Sequence, residues 1–179
     1  MAALPDPVPE LHGEGRQIYD EIRDRLASKG VDHLGPYVPL LHHPELAKYI
    51  ERLGYYYKYE ATLPRDVYQF VVLSMAKRSG VAFIWADHVA AARAAGLPES
   101  IIDAIDKGDT AFAQPFGLVN QIAAEAFAYR SIPQDLQDRC IDRLGTKGLL
   151  EIVTLCGFYT MIAMVNGCFN VPLPEQGSN

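Results

Sequence analysis

A tryptophan and a histidine three residues apart, Trp85 and His88 in Phe83-Ile84-Trp85-Ala86-Asp87-His88, form the segment of this chain best suited to chemistry. Helical spacing puts His88 on one face with Ile84, Ala91, Ala92 and Ala95, so its imidazole points at a surface of apolar and small side chains. Histidine loses and gains a proton near neutral pH, which general acid or base catalysis requires. The same spacing also suits a core histidine satisfied by one backbone carbonyl. A second candidate is Glu151, which shares a stripe with Leu155, Phe158 and Ile162 at the head of a segment without charge. A carboxylate entering an apolar surface must be paired or have a raised pKa, so it reads equally as a structural ion-pair member or a catalytic carboxyl. Tyr55, Tyr56, Tyr57 and Tyr59 cover most of one helix with aromatic surface and read chiefly as packing.

Other site chemistries find less support. His42 and His43 are neighbours followed by Glu45, but helical neighbours point about 100 degrees apart and would need His33 or His88 to complete a metal site. No metal is expected. Gly13 and Gly15 stand alone and lack the Lys-Ser/Thr ending of a phosphate loop. Cys140, Cys156 and Cys168 form no Cys-x-x-Cys pair, as suits a reduced, cytoplasmic protein.

The elements that must position these residues read as helices. Gly15 to Lys29 has Ile18, Ile22 and Leu26 four apart, with Gly30 as a C-terminal cap. Further helices are expected from Pro44 to about Glu60, Pro64 to about Ser79, Ala82 to Ala95 and Pro98 to about Gly108. Three more run from Thr110 or Leu118 to Arg130, from Pro133 to Leu144, and from Lys147 to about Gly167. Prolines open these segments and glycines close them. No segment alternates long enough to be a strand. The fold class is all-α, a bundle of about seven or eight helices. Leu63-Pro64-Arg65-Asp66-Val67 and Ile132-Pro133-Gln134-Asp135-Leu136 share one pattern, the hint of a repeated helix pair.

At 179 residues, 49% of them hydrophobic, the chain suits one domain over 1–179, with an extended arm at 1–12 and a loose tail at 172–179. Sixteen Lys and Arg against 22 Asp and Glu leave a charge of −6, which argues against nucleic acid and anionic membranes as partners. The first ten residues lack the basic and apolar regions of a signal peptide. The dense apolar run Ile152 to Val165 has 14 residues, short of the roughly 20 of a membrane span. It reads as a buried helix, and its apolar surface together with the tyrosine-rich helix predicts a homo-oligomer.

Leu63-Pro64, Trp85-x-x-His88, the small-residue run into Ala95-Gly96-Leu97-Pro98, and Gly148-Leu149-Leu150-Glu151-Ile152-Val153 with Gly157-Phe158-Tyr159 together resemble the carboxymuconolactone decarboxylase and alkylhydroperoxidase-like superfamily. The resemblance covers about Pro36 to Leu173. It implies an all-α bundle assembled as a trimer or hexamer, with no cofactor. The peroxidase branch uses a Glu, a Cys-x-x-Cys pair and a His; here those places hold Gln69, Val81, Ile84 and His88. Neither Val nor Ile forms a thiolate, so the disulfide peroxidase reading fails. What remains resembles the cysteine-free branch, which implies a lyase acting on a small unsaturated carboxylated lactone or keto acid. His88 would be the general acid or base, Gln69 and Tyr159 would support the developing oxyanion, Glu151 is the further catalytic candidate, and Trp85, Ile84 and Phe83 would line the pocket. Arg65, Arg78 or Arg93 would supply a cation for the substrate carboxylate. The alternative is a non-enzymatic ligand-binding or structural oligomer that kept the fold.

Overall fold

The computed structural model describes residues 4–173, and among them every regular element is helical. The helices are α1 (Gly13–Ala27), α2 (Tyr37–Leu40), α3 (Pro44–Tyr55), α4 (Arg65–Ser79), α5 (Ala82–Ala94), α6 (Glu99–Lys107), α7 (Phe116–Phe127) and α8 (Gln134–Cys168). Both copies of the apolar-Pro-polar-Asp-apolar pattern open a helix, with Pro64 capping α4 and Pro133 capping α8. Gly80 and Gly108 close α4 and α6 at φ of 66° and 82°, a left-handed conformation that side chains resist.

Helix α4 is the centre of the molecule. Every residue from Val67 to Ala76 is buried, as expected of a helix surrounded by others rather than laid on a core by one stripe. It packs against α5, α6, α7 and α8. The expected break between the last two helices is present: Gly145, at φ 73° and ψ 167°, is non-helical, so α8 is two helical segments meeting at a kink. After α3 the chain widens into a π turn over Tyr56–Glu60, with the Ala61 amide donating to the Tyr56 carbonyl at 2.8 Å.

Two sequence expectations change, at the arm and in α8. The arm is docked over its described part, because His42 Nε2 lies 2.9 Å from the Pro5 carbonyl and Val8–Glu10 forms a turn of 3-10 helix. The tail lies outside the described residues beyond Leu173, and before it the Val171 amide donates to the Asn166 carbonyl. Helix α8 is longer than its densest apolar run. Its 35 residues include an 18-residue window of mean hydropathy 1.8, long and apolar enough to cross a membrane, yet 61% of that window is buried inside the protein. Its buried residues face α4 and α7, the packing of a core helix.

Candidate functional site

Three helices and one loop converge on His88. On α5, Ile84, His88 and Ala92 are buried along one stripe, which turns the imidazole toward α4 and α8 as the spacing predicts. Gln69 of α4 accepts at Oε1 from His88 Nδ1 across 3.1 Å. That places the ring proton on Nδ1 and leaves Nε2 as an acceptor. Tyr159 of α8 donates to Nε2 at 3.0 Å, and the Tyr68 hydroxyl of α4 stands 2.7 Å from that of Tyr159. Asp87 Oδ2 is 3.4 Å from the same Nε2. Burial outweighs the neighbouring Asp87 charge and pushes the His88 pKa down to about 4, so the ring is neutral at pH 7. Burial also holds the Tyr68 and Tyr159 hydroxyls protonated far above the ordinary phenol range.

The group opens onto a cavity of about 80 Å³, room for several waters or a compact organic acid. Phe83, Ile84, Tyr159 and His88 line it, as do His33, Tyr37, Glu51, Lys58 and Asp87. Gly54 lets α3 form one wall: a Cβ there would stand 3.0 Å from both Phe158 and the Tyr37 hydroxyl. Glu51 is buried and its pKa is raised by desolvation, while Arg25 binds it at 2.9 Å. Asp87 is desolvated too, but the hydrogen bond from His33 at 3.0 Å, with the charges of His88, His33 and Lys58, pulls its pKa below the usual carboxylate range. Lys58 has no ion pair among the described residues, and burial lowers its pKa.

Several predicted site residues stand elsewhere. Gln69 is fully buried behind His88, where it fixes the tautomer and does not line the cavity. Its Nε2 finds no partner among the described residues. Trp85 packs half-buried against the core and also lies off the cavity, although three-residue spacing on α5 puts it on a neighbouring position to His88. Glu151 is remote from His88. The Tyr56 hydroxyl, the Thr62 amide and hydroxyl, and the Leu63 amide all donate to its carboxylate at 2.8–3.0 Å. It pins the loop that enters α4.

The predicted cations are engaged as well. Arg65 donates to the Lys58 carbonyl and covers the Tyr68 ring at 4.6 Å, Arg78 binds Asn120 at 3.1 Å, and Arg93 pairs with Glu99 at 2.7 Å. The cation at the cavity is Lys58, which the sequence hid inside the tyrosine cluster; its signal was a lone charge among four rings. Asp87 was visible as the neighbour of His88, whereas His33 and Glu51 are brought in only by folding.

Residues weighed for metal or thiol chemistry are dispersed. His43 accepts from the Leu46 amide at 3.3 Å as the cap of α3, and His42 is bound to Pro5. No group of three or more His, Cys, Asp and Glu among the described residues is placed to hold a metal. Cys140 and Cys156 are buried, and desolvation pushes the Cys156 thiol up to about 12 and raises Cys140 also, away from the thiolate that attacks peroxides. Compared with family models, curated proteins and solved structures, the chain matches none of them.

Proposed function

We propose that the cavity at His88 is the active site of a cofactor-independent lyase that removes CO2 from a small unsaturated carboxylated lactone or keto acid. The observation that carries this reading is the neutral His88 ring at the cavity wall, locked by Gln69 on one side and offering Nε2 to Tyr159 on the other. Lys58 supplies the cation that an anionic substrate needs and that a relic of the fold would not. A carboxylate seated on Lys58 is one that stays, since pairing the leaving carboxylate with a cation would stabilise the ground state.

Loss of CO2 leaves its electron pair on carbon, delocalised as a dienolate. The protonated hydroxyls of Tyr159, Tyr68 and Tyr37 line the cavity as donors for the oxygen that gains charge. One proton must then reach carbon. His88 is neutral at rest with its proton on Nδ1, so it begins as a proton acceptor and serves as the donor only after Nε2 is loaded. The direct test is CO2 release from carboxymuconolactone, together with a panel of short unsaturated keto acids. Turnover that drops on replacing His88 supports the reading. A folded protein that binds these acids without releasing CO2 would leave ligand binding as its function.

A further inference from the structure

We infer that His33 is a proton reservoir for His88, reloading its Nε2 through Asp87. This rests on the reading of the cavity as a site of proton transfer. Asp87 stands between two rings from different parts of the chain, with Oδ1 3.0 Å from His33 Nε2 and Oδ2 3.4 Å from His88 Nε2. Both rings line the same cavity. His33 belongs to the loop between α1 and α2, so its approach is not a by-product of helical spacing on α5.

That loop is built to hold the ring there. Gly35, at φ 50°, lies so close to Phe83 that a Cβ would meet the ring at 2.7 Å, and Phe83 in turn meets the His33 ring edge-to-face with centroids 6.1 Å apart. His33 Nδ1 is buried and finds no partner among the described residues. The surroundings push the two histidines apart. His33 faces Asp87 and Asp32 against the single charge of Lys58, and the Asp87 hydrogen bond raises its pKa. His88 is enclosed by Gln69 and Tyr68 of α4, Tyr159 of α8 and Asp87 of its own helix, with Lys58, Arg65 and His33 opposing its charge, and it stays neutral. Titratable groups held at opposite ends of the neutral range are the mark of a divided acid and base.

The transfer balances with one proton. The N–H bond of the His33 imidazolium breaks as an O–H bond forms on Asp87; the carboxyl turns and yields the proton to His88 Nε2. Tyr159 must release Nε2 before that proton arrives, which frees its hydroxyl to donate to the dienolate oxygen. His88 next gives the Nε2 proton to the carbon left by CO2 and returns to its resting state, and solvent reprotonates His33. His33 touches no reacting atom, so its role is to position and supply a proton.

The decisive measurement needs no substrate: ring-nitrogen NMR of the whole protein across pH 5–9. His33 should titrate above the ordinary value of about 6.5 while His88 stays neutral with its proton on Nδ1, and Asp87→Asn should bring His33 back to or below that value. A His33 that titrates at or below 6.5 in the unaltered protein, or one indifferent to Asp87→Asn, would overturn the inference. Kinetics with carboxymuconolactone add a second arm. His33→Gln should slow CO2 release roughly tenfold or more and abolish the fall in rate as pH rises through the His33 pKa, a change that merely structural damage would not produce. If His33→Gln turns over at the original rate with the original alkaline limb, the reservoir is refuted while the lyase reading survives. If the unaltered protein releases no CO2, the lyase reading fails and the NMR titration alone judges the pair.

Discussion

Two buried polar groups, Glu151 and His88, enter the core from apolar helical stripes, and the protein treats them oppositely. Glu151 is saturated: two backbone amides and two hydroxyls converge on its oxygens from the loop before α4. His88 is held by one amide oxygen and one hydroxyl, backed by a Gln69 whose own nitrogen has no partner, and it faces open space. A buried charge with every acceptor site filled is a fastening. A buried titratable ring at a cavity wall, whose one lone pair is held by a single hydroxyl that can turn away, is available for chemistry. Burial, helical position and satisfied hydrogen bonds alone do not separate the two, but the cavity does, since His88 lines it and Glu151 does not.

The sharpest way to break this comparison is to exchange what is lost. His88→Gln should cut CO2 release by about 10²–10⁴-fold, the range of a general acid or base, while the protein stays folded. Undiminished turnover would return His88 to the packed core. Glu151→Ala should do the reverse. Stranding four donors costs about 3 kcal/mol, which lowers the melting temperature by roughly 6–12 °C and reduces activity only through the folded fraction. Calorimetry on both variants decides it, since equal losses of stability would erase the distinction.

Why the sequence made these two look alike is instructive. Helix positions were legible because prolines and glycines punctuate them, and the stripe through Ile84, His88 and Ala92 correctly turned His88 inward. The partners of Glu151 lie about 90 residues away in the chain, in a loop whose amides have no sequence signature. Lys58 was obscured because the π turn at Tyr56–Glu60 departs from the 3.6-residue period used to read faces. His33 and Glu51 reach the cavity through tertiary packing of α1, α3 and the intervening loop, contacts that spacing within one helix cannot reveal. Trp85 is the converse case: the resemblance implies a place in the pocket, and the fold packs it against the core outside the cavity.

Acid should sharpen the contrast next. The unfolded chain protonates His88 below about 6.5, but the fold keeps the ring neutral until about 4. Its contribution to stability is therefore whole above 6.5 and lost as pH falls toward 4, on the order of 3 kcal/mol. His33 has the opposite sign: its raised pKa adds stability that is complete below 6.5 and fades as pH rises, so it does not mask the acid loss. Urea unfolding between pH 4 and 7 should show this slope in the unaltered protein and a flatter one in His88→Gln. Identical slopes would mean that His88 is not held neutral.

A smaller effect is expected at Lys58. One charge-assisted contact to a carboxylate is worth about 1.5 kcal/mol, so Lys58→Met should raise KM about tenfold and leave kcat nearly unchanged. A fall in kcat with constant KM would instead place Lys58 in the chemistry itself.

The smallest change concerns an unsaturated surface of another kind, where the unmet need is apolar. Tyr129, Met164 and Leu150 are 88%, 60% and 59% exposed, and a groove between α7 and α8 runs past Phe127, Val153 and Met161. No charged residue lines it. Like the partners of Glu151, what covers such a face cannot be read from spacing within one helix. A second copy of the chain is the partner expected to cover it. We expect a trimer or a multiple of it, and light scattering should give a mass several times the 19.8 kDa of one chain. Met164→Glu sets a charge in the middle of that face and should reduce the particle toward a single chain, with little change in helix content because the site is exposed in the isolated fold. A particle of about 20 kDa before any substitution would show that the face tolerates water and that the apolar half of the comparison fails.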